Sequence, residues 1–430
     1  AAMARNSVDH ATMRDMNLAL ILDVLRSDAP ISRAELASRT GLNKATVSSI
    51  VRTLLEHGWV KELGVNSELA EVGRPGINLA PDPDAGYFIG AEINVDFISI
   101  IITNFAVEIV SRRFESSGML KNQQAVLDRF LFLLAESEQQ VRKSGHDLFG
   151  IGIGVPGLVD VSSGRLLFAP NLDWRDVPLR DLVQAQIDTP VYVMNEANQA
   201  ALGELFFGAG RDSDFMLYVS AGIGIGGGII SNGRLVEGAT GFAGEVGHMT
   251  VVRDGLPCNC GNHGCWETEA GLRALCRRIE EQVSAGCSTW LLEASGGDLD
   301  KLDISLVVQA AQRGDEAALQ ALHETADWLG IGMAGLVNVL NPQRVVFGGP
   351  LSLAHEFVLP AIRATVNRRA WDWTRDQAEI VLASHGRDAA VFGGVASIYR
   401  ELLNSPRSWL ERGDQALSSR RAMAGKRSLL

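Results

Sequence analysis

The sequence predicts an α/β protein in which a small N-terminal winged helix-turn-helix unit precedes two α/β lobes. Residues 31–58 contain two short helical patterns separated by a glycine turn, and residues 80–86 form a break rich in proline, aspartate and glycine. From residue 87 onward, strand-like runs of β-branched residues alternate with long helical patterns. Two such lobes, with glycine turns at the ends of their strands, are expected to enclose a cleft.

The composition describes a globular chain of two or three domains. The 430 residues are 46% hydrophobic and 21% charged, and no apolar run approaches the roughly 20 residues that a membrane-spanning helix needs. The N-terminus lacks the basic-then-apolar pattern of a secretory signal, so we expect a cytoplasmic protein without membrane contact. The formal net charge of -12 excludes a nucleic-acid binder with a basic surface throughout, so any DNA contact is expected to be local.

The N-terminal residues carry the signals of a helix-turn-helix. After a first helical pattern at about residues 12–27, Ser32 and Glu35 form a capping box that starts a second helix. A Thr-Gly-Leu turn follows, and Asn43 can cap a third helix whose apolar residues recur at helical spacing. These residues are Val47, Ile50, Val51, Leu54 and Leu55. Residues 59–79 then have the pattern of two strands around a polar loop, which is typical of a wing.

Residues 31–55 form a locally basic stretch, with four basic side chains and one acidic side chain. The third helix presents short polar and basic side chains that suit base edges and phosphates. The candidate DNA contacts are Arg33, Asn43, Lys44, Thr46, Ser48, Ser49 and Arg52. In the wing, Arg74 either enters a minor groove or belongs to a linker. The alternative, a helical unit with a solvated polar face and no DNA ligand, stays open.

Three of the five cysteines lie within eight positions, in the segment "CNCGNHGC". In a reducing cytosol such a cluster indicates a metal site more often than disulfides. Cys258, Cys260 and Cys265 supply three thiolates, and either His248 or His263 can supply an imidazole. Four such ligands make a closed tetrahedral zinc site, which is structural because no position remains for water.

The cysteine cluster sits in "GFAGEVGHMTVVRDGLPCNCGNHGCWE", which resembles the signature of the ROK family of bacterial repressors, open reading frames and sugar kinases. Further similar motifs are "GVPGLVD", "PNLDW", "NEANQAALGE", "GIGIGGGII" and "NPQRVVFGG". The resemblance covers residues 88–402, and the winged unit is similar to that of the repressor branch. It implies a two-lobed, actin-like ATPase fold built on ribonuclease-H-like sheets.

In that fold the last helix returns to the first lobe, which sets the domain boundaries. We expect a winged unit at residues 1–80, a linker at 81–87, a smaller lobe at 88–194 plus 388–404, a larger lobe at 195–387, and a tail at 405–430. The tail shows no apolar period and is expected to be disordered. Trp371 and Trp373 are expected to pack in the core.

The resemblance also implies the residues of the site. It assigns the metal to His248 and the three clustered cysteines, and it matches six residues to sugar-contacting positions of the family. These residues are Asn171, Asn195, Glu196, Glu245, His248 and Glu267. The histidine is expected to bind the metal through one ring nitrogen while the other faces the sugar, so the metal orients the ring.

The resemblance to the family's kinases fails at the first strand turn. The kinases carry Asp-x-Gly-Gly-Thr there, whose glycines wrap phosphate, whereas this chain has Glu92, Ile93, Asn94, Val95 and Asp96. Val95 is β-branched and resists positive φ angles, and Asp96 adds a negative charge beside the expected phosphate. Glu196 stands where the kinases carry their aspartate base, which alone does not exclude catalysis. We therefore expect a protein that is not an enzyme, with an ATP-dependent sugar kinase as the alternative.

The expected function is a sugar-responsive transcriptional repressor that binds operator DNA as a homodimer or a dimer of dimers. The "NEAN" segment at residues 195–198 resembles the xylose-repressor branch of the family. A pentose lacks the hydroxymethyl group that the kinases' aspartate addresses, which leaves room for the longer arm of Glu196. Xylose is therefore the expected effector, and glucose and N-acetylated hexoses are the alternatives.

Overall fold

The computed structural model describes residues 10–65, 77–118, 120 and 122–412. Three helices and three short strands form the N-terminal unit: α1 (His10–Asp28), β1 (Ile31–Ser32), α2 (Arg33–Thr40), α3 (Lys44–Glu56), β2 (Val60–Val65) and β3 (Ile77–Pro81). The strands pair antiparallel in the order β1-β3-β2, so the predicted wing is present. Residues 66–76, which include Arg74, lie outside the described residues.

Local signals start α2 and α3 where the sequence predicts. The Ser32 side chain accepts a hydrogen bond from the Glu35 backbone N–H at 3.3 Å, and the Glu35 carboxylate accepts one from the Ser32 N–H at 2.8 Å. Gly41 ends α2 with a left-handed φ of 70°. Asn43 Oδ1 then accepts from the Thr46 N–H at 2.8 Å. Each side chain satisfies a backbone N–H that a helix start leaves without a partner, and both predictions are confirmed.

The first lobe is built on a five-stranded sheet. Its elements, in chain order, are β4 (Tyr87–Ile93), β5 (Phe97–Asn104), β6 (Ile109–Ser116), α4 (Gln123–Ser144), β7 (Leu148–Val155), β8 (Leu158–Asp160), β9 (Arg165–Ala169), β10 (Trp174–Val177), α5 (Leu179–Gln184) and β11 (Val191–Asn195). The sheet order is β11-β7-β4-β5-β6, and β8 to β10 form a separate small sheet. All eight residues of β5 are buried, which fits its β-branched sequence.

The second lobe follows α6 (Glu196–Phe207) and repeats the same topology. Its strands are β12 (Phe215–Ala221), β13 (Ile225–Ser231), β14 (Arg234–Leu235), β15 (Arg344–Gly348) and β16 (Glu379–Leu382). Its helices are α7 (Trp266–Ala270), α8 (Leu272–Ser284), α9 (Trp290–Ala294), α10 (Ile304–Gln312), α11 (Glu316–Leu340), α12 (His355–Arg369) and α13 (Asp372–Arg375). The order β14-β13-β12-β15-β16 places three antiparallel strands beside two parallel ones, as in the first sheet. The predicted two-lobed, actin-like fold is therefore confirmed.

The helix α14 (Ala389–Asn404) returns from the second lobe and packs on β4 and β7 of the first. Where it crosses α6, the backbones of the two helices are in direct contact. A Cβ on Gly393 would lie 1.7 Å from the Gln199 carbonyl oxygen, so only glycine allows this crossing. The two helices therefore form a tightly packed pair between the lobes. Among the described residues, no helix has both the length and the apolar character that crossing a bilayer requires.

The winged unit is docked on the first lobe. The Trp59 ring lies 5.4 Å from the Phe105 ring and 5.8 Å from the Phe149 ring, measured between centroids. The Asp82 N–H donates to the Trp59 carbonyl at 2.9 Å, and residues 83–85 form a single 3-10 turn before β4 begins. The connection between the units is therefore short and hydrogen-bonded at its start.

Two expectations about the C-terminal part are wrong. Residues 406–412 are helical, and Trp409 and Leu410 are buried against the first lobe because the Phe149 ring stacks on Trp409 at 5.7 Å. The expectation that the chain is disordered from residue 405 therefore fails up to residue 412, and 413–430 lie outside the described residues. Trp371 and Trp373 are 66% and 73% exposed, so they are not core residues.

We expect Trp409→Ala to lower the free energy of unfolding by about 3 kcal/mol, because it removes a large buried ring. Trp373→Ala is the matched control, since it removes the same ring from an exposed position and is expected to change stability by less than about 0.5 kcal/mol. Urea unfolding followed by circular dichroism measures both. Equal stability of the two variants would show that residues 406–412 do not contribute to the fold.

Candidate functional site

The helix α3 carries an exposed polar face. Lys44, Ser48 and Arg52 follow one another at intervals of four residues and are exposed, together with Ser49. Thr46 is half-buried at the edge of this face. The opposite face packs into the core through the apolar residues that the helical spacing predicts. The structure thus presents these side chains on one surface, and their contact with DNA stays a prediction.

Two of the other candidate DNA contacts already have structural roles. Asn43 caps α3 through its side-chain oxygen, which leaves its amide NH₂ exposed. Arg33 forms an ion pair with Glu62 of the wing strand β2, with a nitrogen to oxygen distance of 2.8 Å. Such a partly exposed pair contributes little stability, so it can exchange for a phosphate. The third, Arg74, lies outside the described residues, so its contact with DNA stays a prediction.

A cleft between the lobes brings the six predicted sugar contacts together. It is lined by residues from both lobes and from the glycine-rich turn after β12. Asn171, Asn195, Glu196, Glu245, His248 and Glu267 all line it. The sequence placed these residues in one site only through the resemblance, since they come from turns and helix starts up to 96 positions apart.

The start of α6 forms the floor of the cleft. Asn195 Oδ1 accepts from the N–H groups of Ala197 and Asn198 at 2.9 and 3.1 Å, and its NH₂ donates to the Gly157 carbonyl at 3.1 Å. These bonds fix the strand-to-helix corner at which Glu196 begins α6. Burial, followed by the nearby Glu92 carboxylate, raises the pKa of Glu196 to about 8. Its carboxyl group can therefore donate as well as accept a hydrogen bond at neutral pH.

On the opposite wall, Asn171 and Glu267 converge on the backbone of Gly224. A Cβ at Gly224 would lie 2.7 Å from Glu267 Oε2 and 3.0 Å from Asn171 Nδ2, so the glycine leaves the space between them open. Asn171 Oδ1 accepts from Asn259 at 2.9 Å and from Arg273 at 3.3 Å. Sequence reasoning missed both of these supporting residues. Asn259 stands between two of the clustered cysteines, and that position was the available signal.

His248 lies between the cleft and the cysteine cluster. Its Nε2 is 3.8 Å from Glu245 Oε2 on the cleft side, and its Nδ1 is 3.7 Å from the Cys258 sulfur on the other side. Burial raises the pKa of Glu245, while His248 acts in the opposite direction. The Cys258 thiol also donates to Glu267 Oε1 at 2.9 Å. Of the predicted sugar contacts, His248 thus belongs to the cluster and Glu267 is in direct contact with it.

The cluster has the geometry of a metal centre. One potential ligand atom from each of His248, Cys258, Cys260 and Cys265 lies within 4.8 Å of the others. Thiolates bound about 2.3 Å from a tetrahedral zinc ion lie about 3.8 Å apart. The Cys260 and Cys265 sulfurs are 3.8 Å apart, which fits that geometry. His263, the alternative imidazole, is exposed and outside the cluster.

In the turn between β4 and β5, backbone N–H groups donate hydrogen bonds to acceptors within the turn itself. The Asn94 N–H donates to the Phe97 carbonyl at 2.8 Å, and the Val95 N–H donates to the Asn94 side-chain oxygen at 2.7 Å. The Asn94 NH₂ in turn donates to Glu92 Oε1 at 2.5 Å. Val95 does not have a positive φ. The turn is thus closed by its own hydrogen bonds.

A second cavity continues from the cleft beneath this turn. Glu92, Asp96 and Glu196 line it, and Arg387 lies at its edge over the Phe114 ring. Glu92 is 3% exposed, and within the described residues no hydrogen-bond partner reaches Oε2 of either glutamate. Burial is the main cause that raises the pKa of Glu92 to about 7, and it also raises the pKa of Asp96. Sequence reasoning did not identify Arg387, because no local pattern brings it to this cavity.

Comparison with known proteins agrees with this geometry. A xylose repressor of Caldicellulosiruptor bescii is 36% identical over 399 residues, which cover 93% of this chain and 99% of the repressor. A ROK family transcriptional regulator, a homologue of the Escherichia coli MLC protein, superposes with a TM-score of 0.76 at 25% identity and covers 93% of this chain and 98% of its own. A ROK glucokinase of Streptomyces griseus, solved with glucose and AMPPNP, covers 74% of this chain and all of its own at 35% identity and a TM-score of 0.67.

The two parts of the chain match different families. Residues 17–64 match the IclR helix-turn-helix domain, which confirms the predicted N-terminal motif. Residues 88–401 match the ROK family, and this match spans well over half of the sequence. With both lobes, the cleft and the cysteine cluster inside the matched range, the chain belongs to the ROK family.

Proposed function

We propose that this protein is a transcriptional repressor that binds operator DNA and releases it when a free monosaccharide, xylose, enters the cleft. One observation carries the proposal: a chain with an exposed polar face on α3 also has a polar cleft in which the turn after β4 is closed by its own hydrogen bonds. The similarity to a xylose repressor over nearly the whole chain supports it. Such a protein acts in the cytoplasm, where operator DNA is found.

The cleft offers a sugar both kinds of hydrogen-bonding partner. Glu245 and Glu267 supply acceptors, and the Asn171 and Asn195 amides supply donors. Each hydroxyl of a pyranose both donates and accepts, so several fixed groups in one cleft select its pattern of hydroxyls. Glu196 extends one methylene further than an aspartate would. We infer that it fills the space that the hydroxymethyl group of a hexose would need, which favours a pentose.

At the turn after β4, this cleft does not offer the free backbone N–H groups that usually hold a triphosphate for phosphoryl transfer. A kinase holds the triphosphate through free backbone N–H groups and metal ions. Here the N–H groups of Asn94 and Val95 are already bonded within the turn, and Asp96 adds a carboxylate beside them. The proposal is therefore that sugar occupancy changes the conformation of the protein and does not lead to a phosphate ester. The glucokinase among the similar structures makes the kinase alternative worth testing by ADP release with a panel of sugars.

The metal cluster is proposed to hold zinc as a structural ion. Four protein ligands leave no open position for substrate or water, so zinc supplies no catalytic chemistry here. Its proposed role is to fix the ring of His248 and the first turn of α7, which carries Glu267, because both contact the cluster. Ligand histidines held in this way keep one tautomer and one orientation.

A change in operator binding requires that sugar binds the DNA-competent and the released conformations with different affinity. The proposal includes a homodimer or a dimer of dimers, in which two winged units bind half-sites about one helical turn apart. A small movement of each unit then changes the distance between the two recognition helices and weakens binding to both half-sites.

Glu92→Gln is expected to stabilise the protein at alkaline pH. The raised pKa means that folded Glu92 keeps its proton between about pH 4.5 and 7, where the unfolded chain has lost it. Wild-type stability therefore falls as the pH rises through this window. Relative to wild type, the variant should gain up to about 3 kcal/mol at pH 8 and almost nothing at pH 4.5. Urea unfolding as a function of pH measures the difference.

Glu115→Gln is the control for this experiment. Its partner Arg129 lowers the pKa of that exposed carboxylate, so the control should give no gain at alkaline pH. A Glu92→Gln curve parallel to wild type from pH 4.5 to 8 would show that Glu92 is ionised throughout.

Purified protein is expected to contain one zinc ion per chain, and Cys260→Ser is expected to lose it. Without the metal, the ring of His248 is no longer fixed, so the affinity for xylose should fall by about 10-fold or more. Elemental analysis and calorimetric titration measure the two effects. Cys287→Ser is the control, since that thiol is exposed and outside the cluster. Unchanged xylose affinity in metal-free Cys260→Ser would show that the metal does not support xylose binding.

Xylose is expected to release the protein from the DNA upstream of its own gene, and glucose to do so only at much higher concentration. Fluorescence anisotropy of labelled DNA, with a panel of xylose, glucose and N-acetylglucosamine, measures release. Release by glucose at lower concentration than xylose would contradict the role given to Glu196. Binding that no sugar changes would contradict the proposed function itself.

The same assay tests the proposed contact between α3 and DNA. Lys44→Ala with Arg52→Ala should weaken DNA binding by at least 10-fold, because phosphate and base contacts are each worth about 1 kcal/mol or more. Arg142→Ala with Lys143→Ala is the control, since it removes the same charge from the exposed end of α4. An equal effect of both double variants would mean that only the net charge matters.

A further inference from the structure

The helix α6 connects the cleft with the N-terminal unit. It begins at Glu196 in the cleft and ends at Phe207, a length of about 18 Å. Every residue from 197 to 204 is buried, and α14 crosses it in contact with the backbone. A helix packed this closely has little room to bend, so a displacement at one end reaches the other end.

The C-terminal end of α6 is also fixed to the second lobe. Glu204 is fully buried, and its carboxylate accepts hydrogen bonds from the backbone N–H groups of Ala209, Ser384 and His385 at 2.8, 3.0 and 3.0 Å. These bonds connect the last turn of α6 with the segment that follows β16. Relative movement of the lobes therefore carries this end of α6 with it.

Arg26, in the last turn of α1, contacts that end of α6 from the N-terminal unit. Its guanidinium donates to the Phe206 carbonyl and lies 4.8 Å from the Phe206 ring centroid and 5.7 Å from that of Phe207. The carbonyls of a last helical turn lack partners within their helix, so a cation is favourable there. Asp23 holds the guanidinium from the other side at 2.7 Å, and the Arg26 side chain is only 11% exposed.

We propose that Arg26 is the positioning residue through which the sugar-dependent position of α6 reaches the DNA-binding unit. The inference rests on the proposed function and concerns how that function is regulated. Close contact of the guanidinium with two aromatic rings and a directed hydrogen bond are sensitive to shifts of 1–2 Å, the size of helix movements common in switching proteins. A neighbouring contact, from Arg211 to the Ser27 carbonyl at 3.3 Å, joins the end of α1 to the segment that follows α6.

The N-terminal unit also contacts parts of the protein outside α6, and one of these contacts provides a control. Arg407, in the segment at 406–412, pairs with Asp15 at the opposite end of α1. This contact joins the same helix to the body without touching α6. If both contacts only held the N-terminal unit on the rest of the protein, loss of Arg26 and loss of Arg407 would have the same effect on the response to sugar.

The test compares Arg26→Gln, Arg26→Lys and Arg407→Gln in the full-length protein. For each, calorimetry gives the affinity for xylose, and anisotropy with the DNA upstream of its own gene gives the affinity for DNA with and without saturating xylose. Arg26→Gln should bind xylose within about twofold of wild type, and xylose should weaken its DNA binding at least fivefold less than in wild type. Arg26→Lys keeps the charge and can still donate a hydrogen bond, but it lacks the forked, planar guanidinium, so its response to xylose should lie between those of wild type and Arg26→Gln.

Arg407→Gln should keep the wild-type response. The inference is overturned if Arg26→Gln responds to xylose as wild type does, or if Arg26→Gln and Arg407→Gln lose the response equally. A loss of xylose affinity in Arg26→Gln would also overturn it, because the residue would then support the cleft itself. Failure of the proposed function is a different result, since wild-type protein would then show no release by sugar at all.

Discussion

The close crossing of α6 and α14 is the constraint on which the rest of the structure depends. Gly393 lets the helices meet at backbone distance, so the two lobes share one rigid element between their sheets. One end of α6 forms the floor of the cleft, and its other end carries the contact with α1. The cleft and the N-terminal unit are thus connected by packed helices, and the short connection at residues 82–85 is only one of several links between that unit and the two lobes.

The same two-lobed fold suits two outcomes of sugar binding, and the turn after β4 decides between them. Glycines in that turn would leave backbone N–H groups free for phosphate. Here Asn94 uses its side chain to accept from Val95 and to donate to Glu92, which closes the turn and connects it with the buried carboxylates. In the proposed function, the turn offers a triphosphate no free N–H groups at Asn94 and Val95, so the binding energy of the sugar changes the relative position of the lobes instead. This physical difference separates the proposed repressor from the kinases that share its fold.

Features set by local interactions could be predicted from the sequence. The caps at Ser32 and Asn43 and the apolar spacing of α3 involve neighbours within four residues, and the structure confirms them. The cleft residues come from distant segments, so only the family resemblance could bring them together. The interpretation failed where a short segment depends on distant partners: Trp409 is buried by Phe149, far away in the sequence. Arg26 gave no signal either, because a single arginine near the end of a helix is equally typical of a solvated surface.

The central claim is that the cleft and the DNA-binding face are energetically linked within one molecule. Linkage is reciprocal, so DNA must weaken xylose binding by the same factor by which xylose weakens DNA binding. Calorimetric titration of xylose into free protein and into protein saturated with its upstream DNA measures this factor directly. The account predicts weaker xylose binding in the DNA complex, by a factor of about 5 to 150. Equal xylose affinity in the two titrations would contradict it.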